Sequence, residues 1–164
     1  TLPYDSFSPH QDIISDRLAT LFNLPKLERG VVVTSITNLM HQLPPRQYIS
    51  ANSLDLAVGQ SVSIAEMRAQ MLLAGYQVVE AVMEHGEFAV RGALLDVFPM
   101  GSEQPYRIDL LDEEVETLRT FDPETQRTVD RVEQIKLMPA REFPIGGEAI
   151  HRFQMDGPKI CPIV

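Results

Sequence analysis

Between Tyr76 and Met138 the chain reads as a succession of short β-strands, and this run limits the possible folds more than any other feature. The segments YQVVEAVM, EFAVRGALLDVF, PYRIDLLD, EVETLRTF and TVDRVEQIKLMP carry β-branched, aromatic and aliphatic residues. Between them lie the turn-forming clusters EHG, MGSEQ and DPETQ. Strands this close together leave no room for crossover helices, so they must pair antiparallel. The stretch SVSIAEMRAQMLLAGY before them has helical spacing. Ser63 stands at the N-cap with Glu66 three places on, Ile64, Met67 and Met71 mark a buried face, and Gly75 suits C′. Residues 46–137 therefore predict an α+β unit, an antiparallel sheet with one helix packed on it.

The flanks read differently. Ile14, Leu18, Leu21 and Phe22 recur at helical spacing over residues 12–23, after a turn-rich opening with Pro3, Asp5, Ser6 and Pro9. Val31, Val32 and Val33 form a short continuous apolar run, the pattern of a strand buried on both faces. Thr34 or Ser35 can cap a helix carrying Ile36, Leu39, Met40 and Leu43, ended by Pro44 and Pro45. Residues 1–45 thus predict part of an α/β flank that the α+β unit interrupts, and residues 138–164 predict the return to that flank and a tail. The text from Thr1 reads as internal to a longer protein.

Arg91, followed at once by Gly92, sits inside the most strand-like stretch of an acidic chain. If residues 88–98 form one strand paired antiparallel with 105–111, period-two alternation divides the side chains between two faces. Phe88, Val90, Leu94, Phe98, Tyr106, Ile108 and Leu110 fall on one, a core face that only Gly92 and Asp96 interrupt. Arg91, Ala93, Leu95, Val97, Arg107, Asp109 and Leu111 fall on the other. A slip or bulge at Gly92 changes that division. Arginine among apolar residues is the composition of a protein–protein hot spot, so Arg91 and Arg107 are expected to be exposed on a partner-binding face. The competing reading pairs Arg91 with an acid such as Asp112 or Glu113 on an ordinary wet face.

Other functions are poorly supported. The net charge of -9 argues against general binding to nucleic acid. There is no phosphate loop of the form GxxxxGK[ST]. His10, His41, His85 and His151 are scattered, with no second metal ligand at the required spacing, and His85 reads as a polar turn residue. Asp109, Asp112, Glu113 and Glu114 could hold a hard cation but read more simply as a solvated acidic edge. Cys161 is the single cysteine, which precludes a disulfide within the chain and fits a reducing cytoplasm. No apolar run approaches the roughly 20 residues of a membrane span, and no signal peptide is evident. The expected catalytic, metal-binding and nucleotide-binding sets are therefore empty.

The stretches LPYDSFSPHQDIISDRL, MEHGEFAVRGALLDVFPMGSEQPYRIDLLDEEVETLRTFDPETQRT and LMPAREFP resemble the N-terminal region of the bacterial transcription-repair coupling factor family. That region is similar in turn to UvrB, a component of the excinuclease of nucleotide excision repair. The chain passes from PYDSFSPHQDIISDRL directly into a helix, without the tyrosine-rich hairpin of UvrB, which favours the coupling factors. The resemblance covers about residues 1–148 and implies an architecture like domains 1a, 2 and 1b of UvrB. It implies an adaptor that recruits UvrA, the damage-recognition component of the same excinuclease, to stalled RNA polymerase, with Arg91, Arg107, Asp109 and Leu111 in the binding surface. Leu111 departs from the aromatic residue that coupling factors can carry there. The resemblance also implies a longer parent, an ATP- and magnesium-dependent DNA translocase of the bacterial cytoplasm that engages RNA polymerase and DNA through other segments. The alternative is a DNA-binding fragment of a helicase-like repair enzyme such as UvrB.

Overall fold

The computed structural model describes residues 10–40, 43–44 and 46–142. The opening turn, His41, Pro45 and the tail with His151 and Cys161 lie outside them. Helix α1 spans Gln11–Asn23 and continues into a 3₁₀ turn, Leu24–Lys26. Helix α2, Ile36–Leu39, starts at Ser35, whose Oγ accepts from the Asn38 N–H at 3.3 Å. Helix α3 spans Arg46–Ala51, strand β1 Leu54–Ala57 and helix α4 Ile64–Leu73. The strands that follow are β2 Gln77–Val78, β3 Glu87–Arg91, β4 Leu94–Val97 and β5 Tyr106–Leu111. They continue as β6 Glu114–Phe121, β7 Thr128–Val132 and β8 Gln134–Leu137.

Six strands form one sheet in chain order, β2 to β7, and β1 pairs with β8 in a separate antiparallel ribbon. The ribbon matches Leu54 to Leu137 and Ala57 to Gln134, so the sheet-bearing unit is closed at its base by its first and last strands. Helix α4 ends in a Schellman motif: the Tyr76 N–H donates to the Met71 carbonyl and the Gly75 N–H to that of Leu72. Gly75 adopts φ +92, a conformation that costs glycine little and other residues more. The N-terminal expectation is met only in part, because Ser63 occupies the N-cap without a side-chain capping bond.

The strand expected over residues 88–98 is a hairpin. Its two central residues are Gly92, at φ +63, and Ala93, whose φ is not positive, the pattern of a II′ turn. A two-residue turn pairs odd positions with even ones, and Phe88 faces Val97 while Arg91 faces Leu94. The next connection does the same, matching Val97 to Tyr106 and Asp96 to Arg107. These two changes of parity cancel between β3 and β5, which keep the faces expected of them, whereas β4 between them is inverted. Leu95 and Val97 therefore enter the core, and Leu94 lies half-buried on the arginine face with Asp96. Phe98 is also on that side, buried with Val82, Ala89 and Phe121 in a small second cluster.

The main core unites Phe88, Leu95, Val97, Ile108, Leu110, Val115 and Leu118 from the sheet with Met67 and Met71 of α4, Leu18 of α1 and Ile49 of α3. Helix α1 docks on the loop after β4: the Gly101 N–H donates to Ser15 Oγ at 2.7 Å. His85 sits between Asp12 Oδ1 and the Ser102 carbonyl, 2.8 Å from each, with its ring on Phe98.

Three other expectations change. Val31–Val33 form no strand, and Val31 and Val33 are 89% and 90% exposed. A doubly buried strand needs neighbours on both edges, and no described segment supplies them. The helix expected to reach Leu43 is the four-residue α2, and Leu43 is exposed. The segment YQVVEAVM yields only Gln77–Val78, paired parallel with β3 instead of antiparallel. After Val79 the chain leaves the ladder so that Val82 can fill the second cluster.

The inverted strand has a direct test. Leu95→Ala should lower stability by about 2–5 kcal/mol through a core cavity. Leu94→Ala, on the opposite face, should cost less than about 1.5 kcal/mol; chemical denaturation of the two variants checks both values. The β5–β6 turn holds Asp112 at φ 48 and Glu113 at φ 65, both left-handed. Glu113→Gly should raise the midpoint of unfolding by relieving a strain worth about 1 kcal/mol.

Candidate partner-binding face

The sheet face opposite the core is built from β3 to β7. Register places Ala89 and Arg91 of β3 beside Leu94 and Asp96 of β4, and then Arg107, Asp109 and Leu111 of β5. Beyond them lie Thr117 and Arg119 of β6 and Arg131 of β7. The residues expected to bind a partner, Arg91, Arg107, Asp109 and Leu111, thus share one face, and Leu111 is 59% exposed.

At the centre of this face is Asp96, with only 1% of its side chain exposed. A buried carboxylate must be paired or protonated. Arg107 clamps it in bidentate fashion, with Nε 2.7 Å from Oδ1 and Nη2 2.9 Å from Oδ2. Arg91 Nη2 donates to the same Oδ2 from the other side. The side chain of Arg107 is only 16% exposed, against the exposure expected of it. Its guanidinium also lies over the Phe121 ring, 4.8 Å from the centroid, and its Nη1 donates to the Gln126 carbonyl at 3.3 Å. Hydrogen bonding to Asp96, reinforced by the charges of Asp96 and Asp109, raises the pKa of Arg107 against the effect of burial. Arg91 is 51% exposed and presents the rest of its fork to solvent. Its partner is Asp96, not Asp112 or Glu113, which form the β5–β6 turn.

A second pair lies alongside. Asp109 Oδ2 accepts from Thr117 Oγ1 at 2.6 Å and from Arg119 Nη2. Asp109 is therefore committed within the chain, and the groups left free for a partner here are guanidinium edges and apolar surface. Sequence reasoning missed Asp96, Arg119 and Phe121. The signal for Asp96 was Gly92-Ala93 as a II′ hairpin turn, which moves position 96 onto the arginine face.

Residues 54–143 match the UvrB interaction domain family. Over 154 residues the chain is 53% identical to the transcription-repair-coupling factor of Escherichia coli (strain K12), which covers 94% of this chain and 13% of that protein. The transcription-repair-coupling factor of Haemophilus influenzae is 51% identical over 154 residues, with the same coverage of 94% and 13%. That of Myxococcus xanthus is 37% identical over 148 residues, 90% of this chain and 12% of its own length. The chain thus spans about an eighth of the curated relatives it matches.

Removing the central carboxylate should be costly. Asp96→Ala leaves the largely buried Arg107 without its counter-ion, and breaking such a pair on one side costs about 3–5 kcal/mol. Arg107→Ala leaves the buried Asp96 with Arg91 as its one remaining cation and should destabilise in the same direction but by less, whereas Arg91→Ala leaves the bidentate pair intact and should change stability by less than about 1 kcal/mol. Thermal melting of the three variants orders them.

Proposed function

The chain belongs to the UvrB interaction domain family, and on that membership we propose that it is an adaptor module of transcription-coupled excision repair that recruits the excinuclease component UvrA. The observation that carries this reading is the Asp96-centred face. An acidic chain of net charge -9 gathers arginines on one side of a sheet, fixes two of them on a buried carboxylate, and leaves Arg91 half exposed beside apolar surface. A planar guanidinium held by one buried partner has lost most of its rotamer freedom before association, so less entropy is lost when a second protein meets it. Leu94 and Leu111 offer apolar area next to these donors. Arg91, Arg107, Asp109 and Leu111 are the contact set, with Arg107 and Asp109 acting largely by holding the face in shape.

Residues 46–137 are the recruiting unit, and residues 1–45 and 138–164 belong to a flank like that of UvrB. The exposed Val31, Val33, Ile36 and Met40 support a flank that packs against further chain. ATP, magnesium, DNA and RNA polymerase are engaged by other parts of the longer coupling factor, and the setting is the bacterial cytoplasm. Among the described residues no helix is long and apolar enough to cross a membrane.

Titration calorimetry against UvrA tests the proposal. Arg91→Ala should weaken binding more than tenfold, the loss of about 1.4 kcal/mol or more expected for an arginine near the centre of an interface, while melting stays near that of the wild type. Unchanged affinity for Arg91→Ala would remove the face from the interface.

A further inference from the structure

Three arginines stand directly opposite one another across three strands. Arg107 of β5 faces Arg119 of β6, and Arg119 faces Arg131 of β7. Like charges directly opposite in a sheet are destabilising, so each needs a counter-charge. Asp96 supplies one to Arg107 and Asp109 supplies one to Arg119. Arg131 is exposed and has no ion pair among the described residues. Arg119 Nε is buried without a hydrogen bond, although its Nη2 is engaged. At its centre the face sets Arg91, Arg107 and Arg119 against Asp96 and Asp109, and Glu87 of β3 and Glu114 of β6 lie at its margins, so Arg131 on β7 stands at the end of an arginine row whose other members have their carboxylates.

We propose that the binding surface extends past Arg107 over Arg119 to Arg131 on β7, and that its occupant there is a carboxylate-bearing segment of the same protein partner. This rests on the partner reading above and adds the chemistry of the contact. Arg131 can offer a free fork to an Asp or Glu side chain, and such a pair relieves the repulsion that Arg119 and Arg131 exert on each other. A protein carboxylate fits better than a phosphate backbone. Asp122 and Glu124 lie in the β6–β7 connection and Glu133 follows β7, all exposed, so a polyanion running along this edge meets repulsion that a single side chain avoids.

The test is titration of the whole chain with UvrA at low and moderate salt, using wild type, Arg91→Ala, Arg131→Gln and Arg131→Glu, with melting recorded in parallel. Arg131→Gln should weaken binding about fivefold at low salt and less at moderate salt, Arg131→Glu should weaken it further, and neither should melt earlier than wild type. Arg119→Lys keeps the charge but loses the fork and should also weaken binding. If Arg91→Ala loses affinity while both Arg131 variants bind like wild type, the extension is wrong and the partner reading stands. If the wild-type chain does not bind, both are wrong. If Arg131→Gln abolishes a steeply salt-dependent binding to duplex DNA and leaves the protein complex intact, the occupant is nucleic acid and the proposal fails.

Discussion

A turn of two residues, Gly92–Ala93, decides which side chains of this sheet meet. Because the turn pairs odd positions with even ones, Asp96 arrives on the same side as Arg91 and Arg107 while Leu95 and Val97 go to the core. A single added residue at this point would send β4 over by one place. Asp96 would then point into the apolar core, away from its arginines, and Leu95 would take its place on the arginine face. The ion cluster and the hydrophobic core are thus specified together: the register that satisfies the buried carboxylate is the register that buries the leucine.

The energetic character of the face follows from this. Asp96 and Arg107 are removed from water as a unit, and the geometry that makes this tolerable is the bidentate fork with stacking on Phe121. Such a pair contributes less to net stability than its short distances suggest, because both ions lose hydration. What it supplies is position. Arg91 is anchored at one nitrogen and open at the others, so the exposed part of the cluster is held in place by a part that solvent hardly reaches.

Much of the architecture was legible in the order of residues. Helical spacing located α1 and α4, Gly75 marked the end of α4, and short strands with short turns implied an antiparallel sheet. Arg91, Arg107, Asp109 and Leu111 were assigned to one face by simple alternation, and they share it because the two parity changes between β3 and β5 cancel. The strand between them was read wrongly for the same reason, since an unbroken apolar run hides a tight turn when only Gly92 marks it. The burial of Arg107 was illegible because it depends on Asp96 and Phe121, which come from other strands. Val31–Val33 show the opposite limit: a pattern suited to a buried strand does not make one without edges to pair with.

The ribbon of β1 and β8 has a mechanical consequence. Leu54 and Leu137 lie opposite each other where the chain enters and leaves the sheet-bearing unit, so both crossings of the chain are gathered in one ribbon, while α1 holds the unit separately through Ser15 and Leu18. Tension applied between those two points would act across the ribbon and open its hydrogen-bonded pairs one after another, like a zipper. The ladders that align Arg91, Asp96 and Arg107 run through β3, β4 and β5 and take no part in that opening. A unit held in this way can be pulled at its entry and exit points while the surface it displays keeps its shape.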